Sequence, residues 1–186
     1  MRNTKVSKRY ATALFSLAQE MNKLEEVSAD MQLVSSVCAA SKELSILLAS
    51  PIVNEQKKLA VINDIFGAKV DELSSKYLEL ILKKGREAIL VEITEQFVVL
   101  YKEYMGIVSL IIKTAVSLED KERNRIKELI KNATQANEVE LIEQVDPRLI
   151  GGVVMAWDDN QIDMSLQRKL KELKRDFDSN VFLKGL

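Results

Sequence analysis

The sequence predicts a mainly α-helical protein in two parts: a six-helix N-terminal bundle over residues 1–105 and a small α+β domain over residues 106–186. In the first part, apolar residues recur every three or four positions, the spacing that buries one face of a helix. After Gly106 the pattern changes to segments rich in β-branched residues, which is typical of strands. With 186 residues and 47% hydrophobic content, the chain is long enough to bury a core in each part.

The first three helices follow from the apolar spacing and from one proline. A single apolar stripe runs from Tyr10 through Leu14, Leu17, Met21, Leu24, Val27 and Met31 to Val34. We expect Asn22 to divide this stripe into two helices. The segment KELSILLAS forms a third, which must end before Pro51 because proline disfavours the α conformation in the residue before it.

Capping residues mark the next three helices. Asn54 is expected to cap a fourth helix that ends at Gly67, a residue suited to the left-handed position after a helix. A fifth helix follows from Val70 and ends at Gly85. The sixth occupies REAILVEITEQFVVLYKEYMG, at residues 86–106. Six helices with short connections make a compact bundle, and the interrupted heptads argue against a coiled coil.

The second part alternates strands and helices. We expect strands in IVSLIIKTAVSL, in VELIEQV and at residues 149–157, with a short partner at residues 161–163. A polar helix with a narrow apolar stripe lies between the first two strands. Ser165 is expected to cap a closing helix, whose apolar stripe should face the sheet. That stripe consists of Leu166, Leu170, Leu173 and Phe177.

Two adjacent glycines, Gly151 and Gly152, lie inside the predicted third strand. A phosphate-binding loop needs glycines just before a helix N-terminus, but β-branched and aromatic residues follow here. A glycine bulge, or a close contact between two backbone segments, is therefore favoured over the phosphate loop.

Asp158, Asp159 and Asp163 form a cluster that could bind Mg²⁺, because carboxylates are ligands of this ion. A role in turn formation is favoured over metal binding, since two of the three lie in a hairpin turn.

The composition argues against several function classes. The chain has 27 basic and 28 acidic residues, and neither part has the basic excess that nucleic-acid binding normally requires. It has no histidine, which removes the commonest general base and zinc ligand. The single cysteine, Cys38, lies in an apolar helical segment and is expected to be a buried structural thiol. We expect no catalytic residue, no metal site and no cofactor, although an Mg²⁺-dependent enzyme using the three aspartates stays open.

The membrane relationship is predicted from apolar runs. No segment approaches the roughly 18 consecutive apolar residues needed to span a bilayer, and MRNTKVSKRY lacks the apolar core of a signal peptide. We therefore expect a soluble, intracellular chain.

Three segments together resemble one known family. RYATALFSLA from Arg9, LILKKGREAILVEITEQFVVL from Leu80 and VDPRLIGGVVMAWDDNQIDMS from Val145 are similar to the delta subunit of F-type ATP synthases, called the oligomycin-sensitivity-conferring protein in mitochondria. The resemblance spans nearly the whole chain. Two positions depart from the family pattern: Asp158 stands where glycine is usual, and Met164 where glycine is frequent. Aspartate tolerates the left-handed conformation, so the turn can survive.

The resemblance implies a six-helix bundle, a smaller C-terminal domain and a non-catalytic role. Such a subunit links the catalytic head to the peripheral stalk and resists rotor torque during proton-driven ATP synthesis. It implies a peripheral location on the cytoplasmic side of a bacterial cell membrane, reached only through the complex, and no nucleic-acid partner. A helix-binding adaptor of another membrane-associated complex remains the alternative.

The resemblance also implies where partners bind. In the family, a groove between the first and fifth helices receives the N-terminal helix of an alpha subunit. The corresponding residues here are Tyr10, Ala13, Leu14, Leu17, Tyr77, Leu80 and Ile81. Leu14 and Leu17 are equally compatible with ordinary core, whereas the family match favours the groove for Leu80. The closing helix and the apolar strands would serve the b subunits of the peripheral stalk.

Overall fold

The computed structural model describes residues 4–181, in two compact units that divide between Tyr104 and Met105. Unit 1 covers residues 4–104 and unit 2 covers residues 105–181 of this range. The helices are α1 (Thr4–Glu20), α2 (Leu24–Ala40), α3 (Lys42–Ala49), α4 (Glu55–Phe66), α5 (Glu72–Lys83), α6 (Leu90–Met105), α7 (Asp120–Thr134) and α8 (Leu166–Val181). The strands are β1 (Ile107–Thr114), β2 (Glu138–Val145), β3 (Val153–Trp157) and β4 (Asn160–Asp163). The prediction of a mainly α-helical chain with a small sheet is confirmed.

Unit 1 has one hydrophobic core to which all six of its helices contribute. Its largest fully buried side chains include Leu14, Met31, Ile62, Ile81 and Phe97. Cys38 is buried in this core, as expected, and burial raises the pKa of its thiol. A thiol in such surroundings is unreactive.

Most helix ends of unit 1 follow the predicted signals, but α5 begins at Glu72 instead of Val70, and α6 begins at Leu90, after the short 3-10 helix Glu87–Ile89. Asn22 adopts a positive φ of 54° between α1 and α2, and the Asn54 side chain accepts from the Gln56 N–H at the start of α4. Gly85 is left-handed after α5. The expectation for Gly67 was wrong, because this residue stays right-handed with φ −54°. The chain continues in a right-handed turn in which the N–H groups of residues 69 and 70 donate to the Phe66 carbonyl.

Unit 2 is built on a four-stranded sheet in the order β2-β1-β3-β4. β1 runs parallel to β2 and antiparallel to β3, so that Leu110 lies beside both Leu141 and Trp157. Ile126 and Ile130 of α7 pack against this face of the sheet. The parallel pair requires a crossover connection, which α7 provides.

Three expectations for unit 2 need correction. β1 ends at Thr114, so Val116 lies outside the strand and is exposed. β3 begins at Val153, so Gly151 and Gly152 precede the strand instead of lying within it. The apolar stripe of α8 does not face the sheet, because its four apolar side chains are exposed. In the part of the chain that the structure describes, α7 fills the apolar face of the sheet that had been assigned to α8.

Candidate functional site

Helices α1 and α5 are joined at two points, and these points fix their relative direction. The buried Tyr77 hydroxyl on α5 donates to the Tyr10 carbonyl of α1 over 2.9 Å. Three residues beyond the end of α1, Lys23 pairs with Asp71, the N-cap residue of α5, at 2.8 Å. The end of α1 thus lies near the start of α5, so the two helices run antiparallel.

Polar groups hold this junction in place. The hydrogen bond between Lys23 and Asp71 raises the pKa of Lys23 and lowers that of Asp71. Asp71 also caps α5 by accepting from the Leu73 N–H, and its own N–H donates to the buried Asp30 carboxylate over 2.9 Å. Burial raises the pKa of the Tyr77 hydroxyl, which keeps it a neutral donor. These contacts tie α1, α2 and α5 together at one end.

Aromatic contacts join the other side of α1 to α6. The Phe15 ring lies 6.0 Å from the ring of Phe97 and 5.5 Å from that of Tyr104. Helix α1 therefore has neighbours on two sides, and among its apolar side chains Ala13 and Leu17 stay exposed.

The seven residues predicted to form the groove divide into buried and exposed groups. Leu14 and Ile81 are each 1% exposed, and Tyr77 is also buried, so these three belong to the core of unit 1. Leu17 and Leu80 are 42% and 43% exposed. Ala13 is exposed, and Tyr10 is half-buried against the core. The fully exposed members thus lie on α1 and α5, and the buried members belong to the core of unit 1.

Met21 is a further exposed apolar residue that the sequence-based selection missed. Its side chain is 50% exposed, and it follows the last residue of α1, four residues after Leu17. The Met21 N–H donates to the Leu17 carbonyl over 3.0 Å, so the helical spacing continues to this residue. Its spacing from Leu17 could have identified it. The surface formed by Tyr10, Ala13, Leu17, Met21 and Leu80 is called the α1–α5 surface below.

A buried ion pair joins three other elements of unit 1. The Lys58 side chain is 3% exposed, and its ammonium donates to Glu87 Oε1 and to the Leu48 carbonyl, both over 2.8 Å. These contacts join α3, α4 and the short 3-10 helix Glu87–Ile89 that precedes α6. Sequence analysis missed this lysine, because nothing in its spacing distinguishes it from exposed neighbours.

In unit 2, the glycine pair allows two backbone segments to pack in direct contact. Gly152 has φ +78°, and a Cβ placed there would lie 2.3 Å from the Met164 carbonyl oxygen. At Gly151 a Cβ would lie 2.9 Å from Leu166 Cδ1. The Leu166 N–H donates to the Gly151 carbonyl over 2.9 Å. The glycines thus seat the start of α8, and because β3 follows them, the phosphate-loop alternative is wrong.

The three aspartates serve the turn and the cap. Asp158 and Asp159 are exposed in the β3–β4 turn, and Asp158 has the positive φ of 46° that the turn requires. Asp163 Oδ1 accepts from the Ser165 N–H over 2.9 Å, and hydrogen bonding to Ser165 lowers the pKa of the Asp163 carboxyl. Ser165 in turn caps α8 by accepting from the Arg168 N–H. Within residues 4–181 no group of three or more potential ligand side chains is placed to hold a metal ion.

The exposed apolar side chains of unit 2 concentrate on α8. Leu166, Leu170 and Leu173 are 45%, 53% and 54% exposed, and Phe177 is 71% exposed. Four apolar side chains on one helix face are an unusual feature for a surface that stays in water. They are called the α8 stripe below.

Over residues 4–181 no single helix has the length and apolar character to cross a membrane. Helices α2 and α3 together have the length and composition of a span, but they meet at a bend of 99°.

Exposed apolar side chains on the helices of both units are typical of a protein that binds other proteins. A family model described as ATP synthase delta (OSCP) subunit matches residues 6–177. The delta subunit of Cytophaga hutchinsonii is 38% identical, covering 97% of this chain and 98% of that protein. The delta subunit of Chloroherpeton thalassium is 32% identical over 91% of this chain and 92% of its own.

A solved structure shows the same fold. A chain in the cryo-EM structure of the Toxoplasma gondii mitochondrial ATP synthase hexamer matches with a TM-score of 0.73 and 22% identity, covering 92% of this chain and 96% of that chain. The chain described here belongs to the ATP synthase delta (OSCP) subunit family. It is a non-catalytic stator component of an F-type ATP synthase, and the alternative of an adaptor in another complex is not favoured.

Proposed function

We propose that unit 1 is a six-helix bundle whose α1–α5 surface receives the N-terminal amphipathic helix of the ATP synthase alpha subunit. The supporting observation is the exposure of Leu17 and Leu80 on two antiparallel helices, beside the buried Leu14 and Ile81. A helix-in-groove contact needs an apolar floor with a few exposed anchors along it. The α1–α5 surface has both.

The geometry sets the length of helix that this surface can hold. Met21 lies eleven residues beyond Tyr10 along the chain, and Leu80 lies three residues beyond Tyr77 on α5. Because the helices are antiparallel and the Tyr77 hydroxyl donates to the Tyr10 carbonyl, Met21 and Leu80 mark opposite ends of the surface. At about 1.5 Å per residue they lie about 21 Å apart along the helix axes, which corresponds to roughly fourteen residues of a bound helix.

We propose that unit 2 docks the b subunits of the peripheral stalk through the α8 stripe and the exposed apolar strand residues. The pair of surfaces, one on each unit, suits a chain that holds the catalytic head to the stalk against rotor torque. In this arrangement the chain lies on the cytoplasmic side of a bacterial cell membrane and reaches the membrane only through the complex. It needs no nucleic-acid partner.

The test for unit 1 is one charge placed in the α1–α5 surface. Leu80→Asp in the full chain should weaken binding of a synthetic alpha-subunit N-terminal peptide by about a hundredfold, because the carboxylate would be buried on binding. Ile46→Asp is the matched control, since Ile46 is an exposed apolar residue on α3, outside the α1–α5 surface. Affinity would be measured by isothermal titration and folding by circular dichroism.

Two results would refute the assignment. One is an unchanged affinity in the folded Leu80→Asp chain. The other is an equal loss in Leu80→Asp and Ile46→Asp, which would indicate a nonspecific effect of added charge.

A further inference from the structure

The α8 stripe has the spacing of a seam between two helices. Leu166, Leu170, Leu173 and Phe177 are separated by four, three and four residues, which is the 3.5-residue repeat of a two-helix coiled coil. A helix that packs on a sheet shows a broader apolar face than this. The stripe therefore fits a single partner helix.

Lysines border this seam on both sides. With Leu166 and Leu173 at d positions of the heptad, Lys169 occupies a g position and Lys174 the following e position, at the middle of the seam. The outer e and g positions hold Gln167 and Asp176. Both lysine side chains are exposed. In a parallel pair formed by two copies of this chain, Lys169 of one copy would face Lys174 of the other, and the like charges oppose that pairing. At the middle of the seam, Lys169 and Lys174 instead complement a helix with acidic residues opposite them, at its own e and g positions.

The first turn of α8 is held firmly, which presents the rest of the seam from a fixed base. Next to the Leu166–Gly151 bond, the Met164 N–H donates to the Val153 carbonyl over 2.9 Å. The buried Ser165 caps the helix. Beyond this turn the seam side chains are about half exposed or more, with Phe177 the most exposed at 71%.

We propose that α8 pairs with one helix of the peripheral stalk as a short left-handed coiled coil, and that this helix carries acidic residues on both sides of its apolar seam. The proposal rests on the stalk docking proposed above, to which it adds the binding mode and the charge of the partner. From Leu166 to Phe177 the seam is about 17 Å long, so it engages about three turns of the stalk helix.

The experiment uses the full chain and a synthetic acidic peptide of about three heptads, with leucine at a and d and glutamate at e and g. Glutamates at these positions repel between copies, so the peptide stays monomeric alone. Fluorescence anisotropy should show binding that weakens with added salt. Lys169→Glu with Lys174→Glu should reduce the affinity by about tenfold or more.

A second double variant controls for net charge. Lys171→Glu with Arg175→Glu changes the charge of α8 by the same amount, but on the side away from the seam. It should leave the affinity within about twofold, because exposed charges away from the contact are largely screened. Equal losses in the two double variants, or no binding of the unaltered chain, would overturn the proposal.

Two further measurements separate this pairing from other occupants and from stalk docking itself. Sedimentation of the unaltered chain should show a monomer, and a dimer that Leu173→Asp dissolves would overturn the proposal by placing a second copy on the seam. Pull-down with the soluble stalk segment should weaken in the Lys169/Lys174 double variant. If the Lys169/Lys174 double variant still captures the stalk segment fully, the coiled-coil pairing is overturned and stalk docking stays intact. If the unaltered chain captures no stalk segment, stalk docking itself is overturned.

Discussion

Replacing Gly152 by alanine should destabilise unit 2 much more than the same change at its neighbour Gly151. At Gly152 the new Cβ would lie 2.3 Å from the Met164 carbonyl oxygen and 3.0 Å from Ser165 Cα, both of them backbone atoms. The backbone there also has φ +78°, which L residues rarely adopt. At Gly151 the nearest atom is Leu166 Cδ1 at 2.9 Å, the far end of a side chain that can rotate away.

The magnitude follows from three contributions. The left-handed conformation costs alanine about 1 kcal/mol. Relief of the clash must move the segment around Met164 away from the glycines, which weakens the two 2.9 Å hydrogen bonds from Met164 and Leu166. Each of these bonds contributes about 1 kcal/mol. We expect Gly152→Ala to lower the free energy of unfolding by about 3 kcal/mol and Gly151→Ala by no more than about 1 kcal/mol.

The assay can observe unit 2 alone, because the only tryptophan of the chain, Trp157, lies in β3. Urea unfolding followed by tryptophan fluorescence should show the loss of about 3 kcal/mol for Gly152→Ala. Thermal unfolding followed in the same way should show a drop of roughly 12–24 °C in the unfolding temperature of unit 2. Binding of the alpha-subunit peptide to unit 1 should be unchanged in both variants. Equal stability of Gly152→Ala and the unaltered chain, or equal losses at the two glycines, would refute the close-packing explanation.

Three further predictions concern an ion pair, a carboxylate and the boundary between the units. Lys58→Met should destabilise unit 1 by roughly 3 kcal/mol, because it leaves the carboxylate of Glu87 without its buried partner. In urea unfolding followed by circular dichroism, the double variant Lys58→Met/Glu87→Leu should recover at least half of this loss. No recovery would count against the pairing of Lys58 with Glu87. Hydrogen bonding to Ser165 lowers the pKa of Asp163 in the folded chain. The ionised Asp163 carboxylate therefore stabilises folded unit 2 fully above its unfolded pKa of about 3.9, and this stabilisation is lost as the pH falls through the lower pKa of the folded state. Asp163→Asn should therefore make the stability of unit 2, measured by Trp157 fluorescence, depend less on pH below about pH 4. An unaltered pH profile would contradict this role of Asp163. A truncated chain ending at residue 105 should unfold cooperatively and bind the alpha-subunit peptide with near full affinity, but it should fail to capture the stalk. An unfolded fragment would refute the boundary between the units. Stalk capture by the fragment would refute the assignment of stalk docking to unit 2.

Local signals in the sequence were sufficient to locate the helices and strands. Helical periodicity located the helices of unit 1, and Asn54 and Ser165 were identified as caps, because a cap depends on a side chain bonding to a backbone two or three residues away. The change to alternating β-branched residues marked the start of β1 within one residue of Gly106. These features depend on neighbours along the chain, which the sequence displays directly.

The candidate site was predicted only in outline, because an apolar residue on a helix face looks the same whether it is covered or not. Leu14 and Leu17 follow the same spacing, yet the first is 1% and the second 42% exposed, since α5 and α6 pack on α1 from two sides. The sequence likewise does not show whether the α8 stripe is covered, and it was predicted to pack on the sheet. In the structure, α7 packs on that face of the sheet instead.

What the sequence alone determined about this protein is therefore its helices, its strands, their order and the family to which the chain belongs. The tertiary structure decided which apolar side chains remain exposed, and it decided what Gly151 and Gly152 do. Their role depends on Met164 and Leu166, which lie more than ten residues further along the chain and approach the glycines only when β3, β4 and α8 have come together. Burial and close approach depend on contacts between distant segments, and a local sequence pattern does not record which segments will meet.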